Sequence, residues 1–199
     1  MFKDRIKFSP GFQRFALPFV ALGFHIYYGV RVIGRENIPE GGCVVCPNHT
    51  NYSDPPLAAV GLIGCGRIRI MAKVELFSIK YLGPLITALG AFPVDRGKAD
   101  ITAIKTALKA VKDGCKLLIF PQGTRSAGED DAKEGAAMLA VKTRAPVLPV
   151  YITENTGFRC HKTIVIGKPF LPDSSTKDYA AVSADILHRI YALRDEVKR

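Results

Sequence analysis

His49 and Asp54 stand five positions apart in "PNHTNYSDPP", residues 47 to 56, between asparagines and a double proline. An imidazole beside a carboxylate makes a general base. The carboxylate fixes the ring tautomer and raises the basicity of the other nitrogen, which can then take a proton from an alcohol. Spacing alone does not join the two. On a helix, positions i and i+5 lie about 140° apart, and on a strand they point to opposite faces. A strand-to-helix corner does join them, and the flanking "GGCVVC" and "PPLAAVGLI" supply one. Asp54 is equally well placed as a helix N-cap with Pro55 at the first helical position, which would make His49 a polar turn residue. The two roles are compatible, since a capping carboxylate can orient an imidazole. No G-x-S-x-G element and no second partnered carboxylate is present, so the substrate has to bring the nucleophile, as a hydroxyl.

Two arginines lie at other strand ends. Arg96 in "GAFPVDRG" (90–97) follows a short apolar strand, and Arg125 in "FPQGTRSAGE" (120–129) follows the strand "KLLIF" in a glycine-bearing loop. Guanidinium forks suit phosphate, and the N–H groups around Gly123 can add donors as an anion nest. One such arginine alone reads as a solvated charge. Two arginines and a histidine at the strand ends of one sheet read as a site.

The elements that must position these residues alternate. "RIRIMAK" has the period of a strand, and "AFPVD", "KLLIFP", "PVLPVYI" and "KTIVIGKPF" read as further strands. "PPLAAVGLI", "EGAAMLAVKTRA" and "SADILHRIYALRDEV" read as helices, and "LFSIKYLGPLITALG" as a helix interrupted at Gly83-Pro84. In "KADITAIKTALKAVKDG" the residues Ile101, Ile104, Leu108 and Val111 share one stripe, and Gly114 supplies the stop. The expected fold is α/β: a single domain with a largely parallel or mixed central sheet flanked by helices. Functional residues of such a sheet gather at one set of strand ends.

With 199 residues, 48 % of them hydrophobic, the chain can bury one sizeable core, which excludes disorder. The formal net charge is +10, from 28 basic and 18 acidic side chains. That balance favours anionic partners or serves solubility alone. Nucleic acid is not expected, because no recognition module appears and the basic residues are not interleaved with aromatics. The five cysteines show no disulfide spacing. Cys43 and Cys46 form a C-x-x-C without a second pair, so they read as buried apolar residues and not as a zinc site. Free thiols suit a reducing compartment.

The uncharged run 15–30, "FALPFVALGFHIYYGV", is flanked by Arg14 and Arg31. It is short for a bilayer span of about 20 residues and carries no secretory cleavage site. It fits an interfacial helix facing anionic head groups, or a core helix; a membrane span fits less well. The expected division is residues 1–33 as a membrane-association segment and 34–199 as the catalytic domain, with the protein held peripherally or monotopically on the cytoplasmic face of the cell membrane.

"NHTNYSD" resembles the H-x-x-x-x-D block of the glycerolipid acyltransferases. "GAFPVDR" matches their second block, "FPQGTRS" their third and "APVLPV" (145–150) the proline-centred fourth, in the same order. "MAKVELFSIKYLGPLI" (71–86) is similar to the segment that joins the first two. The resemblance spans about residues 34–152 and is nearest to the bacterial 1-acyl-sn-glycerol-3-phosphate acyltransferases. It implies acyl transfer from acyl-CoA or acyl-acyl carrier protein, as co-substrate, to the free hydroxyl of lysophosphatidic acid, giving phosphatidic acid. In that scheme His49 is the base and Asp54 its orienter. Arg96, Gln122, Gly123, Thr124, Arg125 and Lys73 surround the acceptor, and no metal or cofactor is required. One position departs from the pattern: Gln122 stands where the third block usually has glutamate, a residue tied to acceptor binding. An amide keeps the shape, loses the charge and gains donors. The acceptor is therefore open to another lysolipid or an amine-containing lipid, and the rival from another class is a non-catalytic basic lipid-binding protein.

Overall fold

The computed structural model describes residues 7–97, 100–124, 128 and 132–198. Its strands are β1 (Arg31–Ile33), β2 (Cys43–Pro47), β3 (Ile68–Lys73), β4 (Ala91–Val94), β5 (Lys116–Leu118), β6 (Val147–Ile152) and β7 (Thr163–Ile166). Its helices are α1 (Pro10–Tyr28), α2 (Asp54–Gly61), α3 (Leu82–Ala88), α4 (Ile101–Lys112), α5 (Gly135–Thr143) and α6 (Tyr179–Ala192). The strands form one mixed sheet in the order β1-β7-β6-β2-β5-β3-β4. β2 to β6 run parallel, while β7 is antiparallel to β6 and carries β1 parallel to itself. The chain is a single α/β domain, and β1 belongs to the sheet.

Alternation explains why the middle of this sheet is apolar throughout. β2 turns Cys43 and Val45 to one face and Val44 and Cys46 to the other, and all four are fully buried. Strands covered on both faces read as continuous apolar runs. One face packs on α4, α5 and α6 through Ala107, Ala137, Ala140, Ile186 and Ile190. The other packs on α1 and α2 through Leu17, Leu57, Ala58 and Leu62. Burial pushes the Cys43 thiol up to about 11 and that of Cys46 further up. Both stay neutral and apolar, as packing residues do.

Three helices carry side-chain caps at their starts: Ser9 accepts from Phe12 N, Asp100 from Ala103 N and Asp178 from Ala181 N. These bonds satisfy backbone donors that have no partner within the helix. Several boundaries differ from the sequence reading. Of the Ile101 stripe on α4, Val111 is buried and Ile104 and Leu108 pack partly buried against the core, while Ile101, at the start of the helix, is 63 % exposed. The buried face is Ala103, Ala107, Ala110 and Val111, small residues that let α4 approach α5 and the sheet. The long helix expected around Gly83-Pro84 is a 3-10 turn, Val74–Ser78, followed by α3. Gly83 and Pro84 begin α3, where proline's missing N–H is harmless, and a Cβ at Gly83 would meet Phe77 O at 2.4 Å.

The apolar N-terminal run forms α1, closed by Gly29 in the left-handed conformation at φ 69°. Gln13 is buried and anchors the helix. Its Nε2 donates to Ile68 O (2.8 Å) and Leu89 O (2.6 Å), and its Oε1 accepts from Ile68 N (3.0 Å). Gly90, at φ 100°, opens the second block because a Cβ there would meet Ile68 O at 2.4 Å and the Gln13 amide at 2.8 Å. The opposite side of α1 exposes Phe12, Phe15, Phe19, Leu22 and Ile26. Among the described residues, no helix is long and apolar enough to cross a membrane.

Candidate active site

Lys73 is the last residue of β3, and Arg96, His49 and Gln122 follow the carboxyl ends of β4, β2 and β5, all parallel strands. The corner after β2 is built first by Asn48, which is fully buried. Its Oδ1 accepts from Ile152 N (2.7 Å) and its Nδ2 donates to Ile152 O (2.9 Å). The side chain thus satisfies the end of β6 as a neighbouring strand would, and frees the main chain to turn at His49.

The turn brings His49 and Asp54 together: Nδ1 lies 3.3 Å from Oδ2. The same oxygen accepts Thr50 N at 2.7 Å and Asn51 N at 2.6 Å. An oxygen receiving two backbone N–H groups is an acceptor, so Nδ1 must carry the hydrogen and Nε2 keeps its lone pair for a substrate proton. Asp54 is fully buried while the His49 side chain keeps 13 % of its surface exposed. The N-cap expectation is corrected here. Ser53 occupies the cap position without a side-chain bond, and Asp54, already inside the helix, faces back into the turn. The Phe120 ring, 4.2 Å away and tilted by 33°, forms an apolar wall behind the imidazole.

Gln122 follows Phe120 and Pro121 and is turned inward, 1 % exposed. Its Oε1 accepts from His49 N at 3.1 Å, while its Nε2 donates to Gly128 O (2.9 Å) and the Tyr191 hydroxyl (3.0 Å). Gly123, at φ 72°, accepts a hydrogen bond from Arg96 Nη1. The dipeptide Gln122-Gly123 therefore links the histidine corner to the second-block arginine. Partial burial lowers the Arg96 pKa and Glu75 opposes that shift; a guanidinium so perturbed remains a cation. Lys73 pairs with Glu75 at 2.9 Å, both exposed. The Lys73 side chain holds down the Glu75 pKa. Thr124 is exposed beside Gly123. Arg125 lies outside the described residues.

Three contributors escaped the sequence reading. Asn48 adjoins the histidine, and a polar residue ending an apolar strand was the available signal. Tyr191 comes from the last helix, 69 positions beyond Gln122, and nothing local marks it. Lys162, first residue of the strand segment "KTIVIGKPF", is fully buried and its Nζ donates to Thr153 O at 2.5 Å. Burial lowers its pKa, with the Asp54 carboxylate pulling the other way.

This arrangement is an imidazole paired with a buried carboxylate, a guanidinium bonded to Gly123 and a loop of backbone groups, at the carboxyl end of the sheet. The family model described as Acyltransferase matches residues 29–153. The chain is 33 % identical over 180 residues to the 1-acyl-sn-glycerol-3-phosphate acyltransferase of Bacillus subtilis, covering 85 % of this chain and 90 % of that one. It is 31 % identical over 137 residues to the protein of the same name from Borreliella burgdorferi, covering 65 % and 54 %. The crystal structure of the 1-acyl-sn-glycerophosphate (LPA) acyltransferase PlsC from Thermotoga maritima shares the fold, with a TM-score of 0.68, 24 % identity and coverage of 94 % and 82 %. The chain belongs to the acyltransferase family and is an O-acyltransferase.

Proposed function

We propose that the protein transfers an acyl chain from acyl-CoA or acyl-acyl carrier protein to the sn-2 hydroxyl of 1-acyl-sn-glycerol-3-phosphate, forming phosphatidic acid. The observation that carries this reading is the His49–Asp54 contact at the same carboxyl end of the sheet as Arg96. The His49 Nε2 takes the hydroxyl proton as the alkoxide oxygen bonds to the thioester carbonyl carbon. Asp54 stabilises the imidazolium that forms. Collapse of the tetrahedral intermediate breaks the C–S bond, and the imidazolium returns its proton to the thiolate. Free thiol and ester leave, and the base is regenerated. Arg96, with Arg125 and Lys73 as further cations, holds the acceptor phosphate. Names carried by relatives at 33 and 31 % identity support this choice of acceptor.

The enzyme works on a membrane surface, at the cytoplasmic face, without crossing it. The spacing of Phe12, Phe15, Phe19, Leu22 and Ile26 makes one apolar stripe along α1, exposed while Gln13 and Leu17 face the domain. Tyr27 extends it, with the exposed Phe158 ring edge-on at 5.6 Å. Exposed Arg14, Arg31 and Arg159 flank the stripe and suit anionic head groups. The end of α1 at Tyr28 accepts His161 N beside the carboxyl end of β6. The lipid-facing helix thus terminates at the end of the sheet that bears the base.

Thiol release from acyl-CoA and acyl-acyl carrier protein, measured over a panel of lysolipids, tests the reading. Turnover with lysophosphatidic acid is expected. Turnover with a different lysolipid alone would move the acceptor, and lipid binding without thiol release would replace the enzyme by a binding protein.

A further inference from the structure

The corner after β2 presents three successive backbone donors, at His49, Thr50 and Asn51. Asp54 takes the second and third, and Gln122 takes the first. The base is therefore held from two sides, its ring by a carboxylate and its main chain by an amide. The amide itself is held by two further segments, Gly128 and the last turn of α6 at Tyr191. Tyr191 is oriented in turn by the Tyr151 ring, edge-on at 6.2 Å, and by the Arg194 guanidinium 5.2 Å above its ring.

A glutamate in this place could accept from His49 N and from the Tyr191 hydroxyl. It could not donate to Gly128 O, and two buried oxygens would face each other. An amide satisfies all three contacts. We propose that Gln122 is a positioning residue: it fixes the main chain of His49 and so aims the imidazole at the acceptor hydroxyl, and it does not contact the acceptor phosphate. Tyr191, through Gln122, belongs to the same support. This inference rests on His49 being the base of the proposed reaction. It assigns the departure in the third block to the geometry of the base instead of the identity of the acceptor.

The test combines kinetics of Q122A, Q122E, Y191F and the Q122A/Y191F double variant with the 15N resonances of the His49 ring in the resting protein. Q122A is expected to lower kcat by about 100-fold, since small misplacements of a catalytic group cost that much, while KM for lysophosphatidic acid stays within about twofold. Q122E is expected to lower kcat as well. Y191F is expected to lower kcat less and to add nothing in the double variant, because both changes release one linked support. The His49 ring signals are expected to move in Q122A and Y191F. A raised KM with unchanged kcat in Q122A or Q122E would overturn the proposal, as would full additivity or unmoved ring signals. Y191F leaves the amide in place and decides the matter if Q122A does not fold. Wild-type protein releasing no thiol would defeat the functional reading, while the ring signals still judge the positioning role.

Discussion

A single oxygen, Oδ2 of Asp54, receives the His49 imidazole at 3.3 Å and the backbone N–H groups of Thr50 and Asn51 at 2.7 and 2.6 Å. The aspartate thus builds the turn that delivers the histidine and also orients its ring, so its two roles should separate on substitution. His49→Ala is expected to reduce thiol release to background with the melting temperature kept. Asp54→Ala strands two part-buried donors at a cost of up to about 1–3 kcal/mol each, so it is expected to lose both activity and thermal stability. Asp54→Asn keeps an acceptor for the backbone and is expected to melt closer to wild type, while kcat falls by about 10,000-fold. Activity retained in His49→Ala would remove the base assignment.

Arg96 reaches Gly123 O from the second block. Its substitution by alanine is expected to raise KM for lysophosphatidic acid by about tenfold, with a smaller effect on kcat. Lysine should rescue this only in part, because an ammonium cannot offer the guanidinium fork. An unchanged KM in Arg96→Ala would argue against a phosphate contact.

The exposed stripe of α1 and its buried anchor predict opposite phenotypes. Phe15 and Phe19 are 66 and 62 % exposed, and each could bury about 1.5–3 kcal/mol of apolar side chain in lipid. The double change to aspartate is expected to weaken sedimentation with anionic vesicles by at least about tenfold without lowering the melting temperature. Gln13→Ala leaves Ile68 N and O without their partner and is expected to cost about 1–3 kcal/mol of stability. Unaltered vesicle binding by the double variant would return α1 to a purely packing role.

Lys162 gives a pH dependence of definite sign. Its pKa in the folded state lies below the ordinary 10.5, chiefly through burial and against the pull of Asp54. Between the lowered value and 10.5 the folded protein binds fewer protons than the unfolded chain, so this residue makes stability rise with pH across that window. Below it the penalty for burying the cation is fully present. Lys162→Met, which titrates no proton, is expected to lack that rise, and urea melts of both proteins across alkaline pH measure the difference.

Periodicity and turn residues revealed the alternation of strands and helices, because each element buries its own apolar face. The His49 corner was legible for the same reason: a buried strand, then asparagines, then a double proline. Sequence reading found the stripe of α4 but not the small residues beside it: Ala103, Ala107 and Ala110 pack inward with Val111, and the first member of the stripe, Ile101, faces water. It failed again where one side chain answers another from a distant segment. Nothing near Gln122 reveals that its amide is matched by Tyr191, and nothing near Lys162 reveals a carbonyl waiting at Thr153. The inward face of Gln122 depends on those matches. Lys116 is buried in the same way, its Nζ donating to the Pro39 and Gly41 carbonyls.

The strand that delivers the histidine is flanked in the sheet by β5 and β6, both of which come much later in the chain. During synthesis β2 therefore emerges with both hydrogen-bonding edges vacant; β5 can fill one once residue 118 has emerged, and the other stays open until roughly residue 152 has cleared the ribosome. Its pairings all close long loops, which slows folding. A nascent chain arrested before β6 would hold His49, Asp54 and Gln122 but neither Ile152, which pairs with Asn48, nor Tyr191, and its central strand would keep one edge open to aggregation.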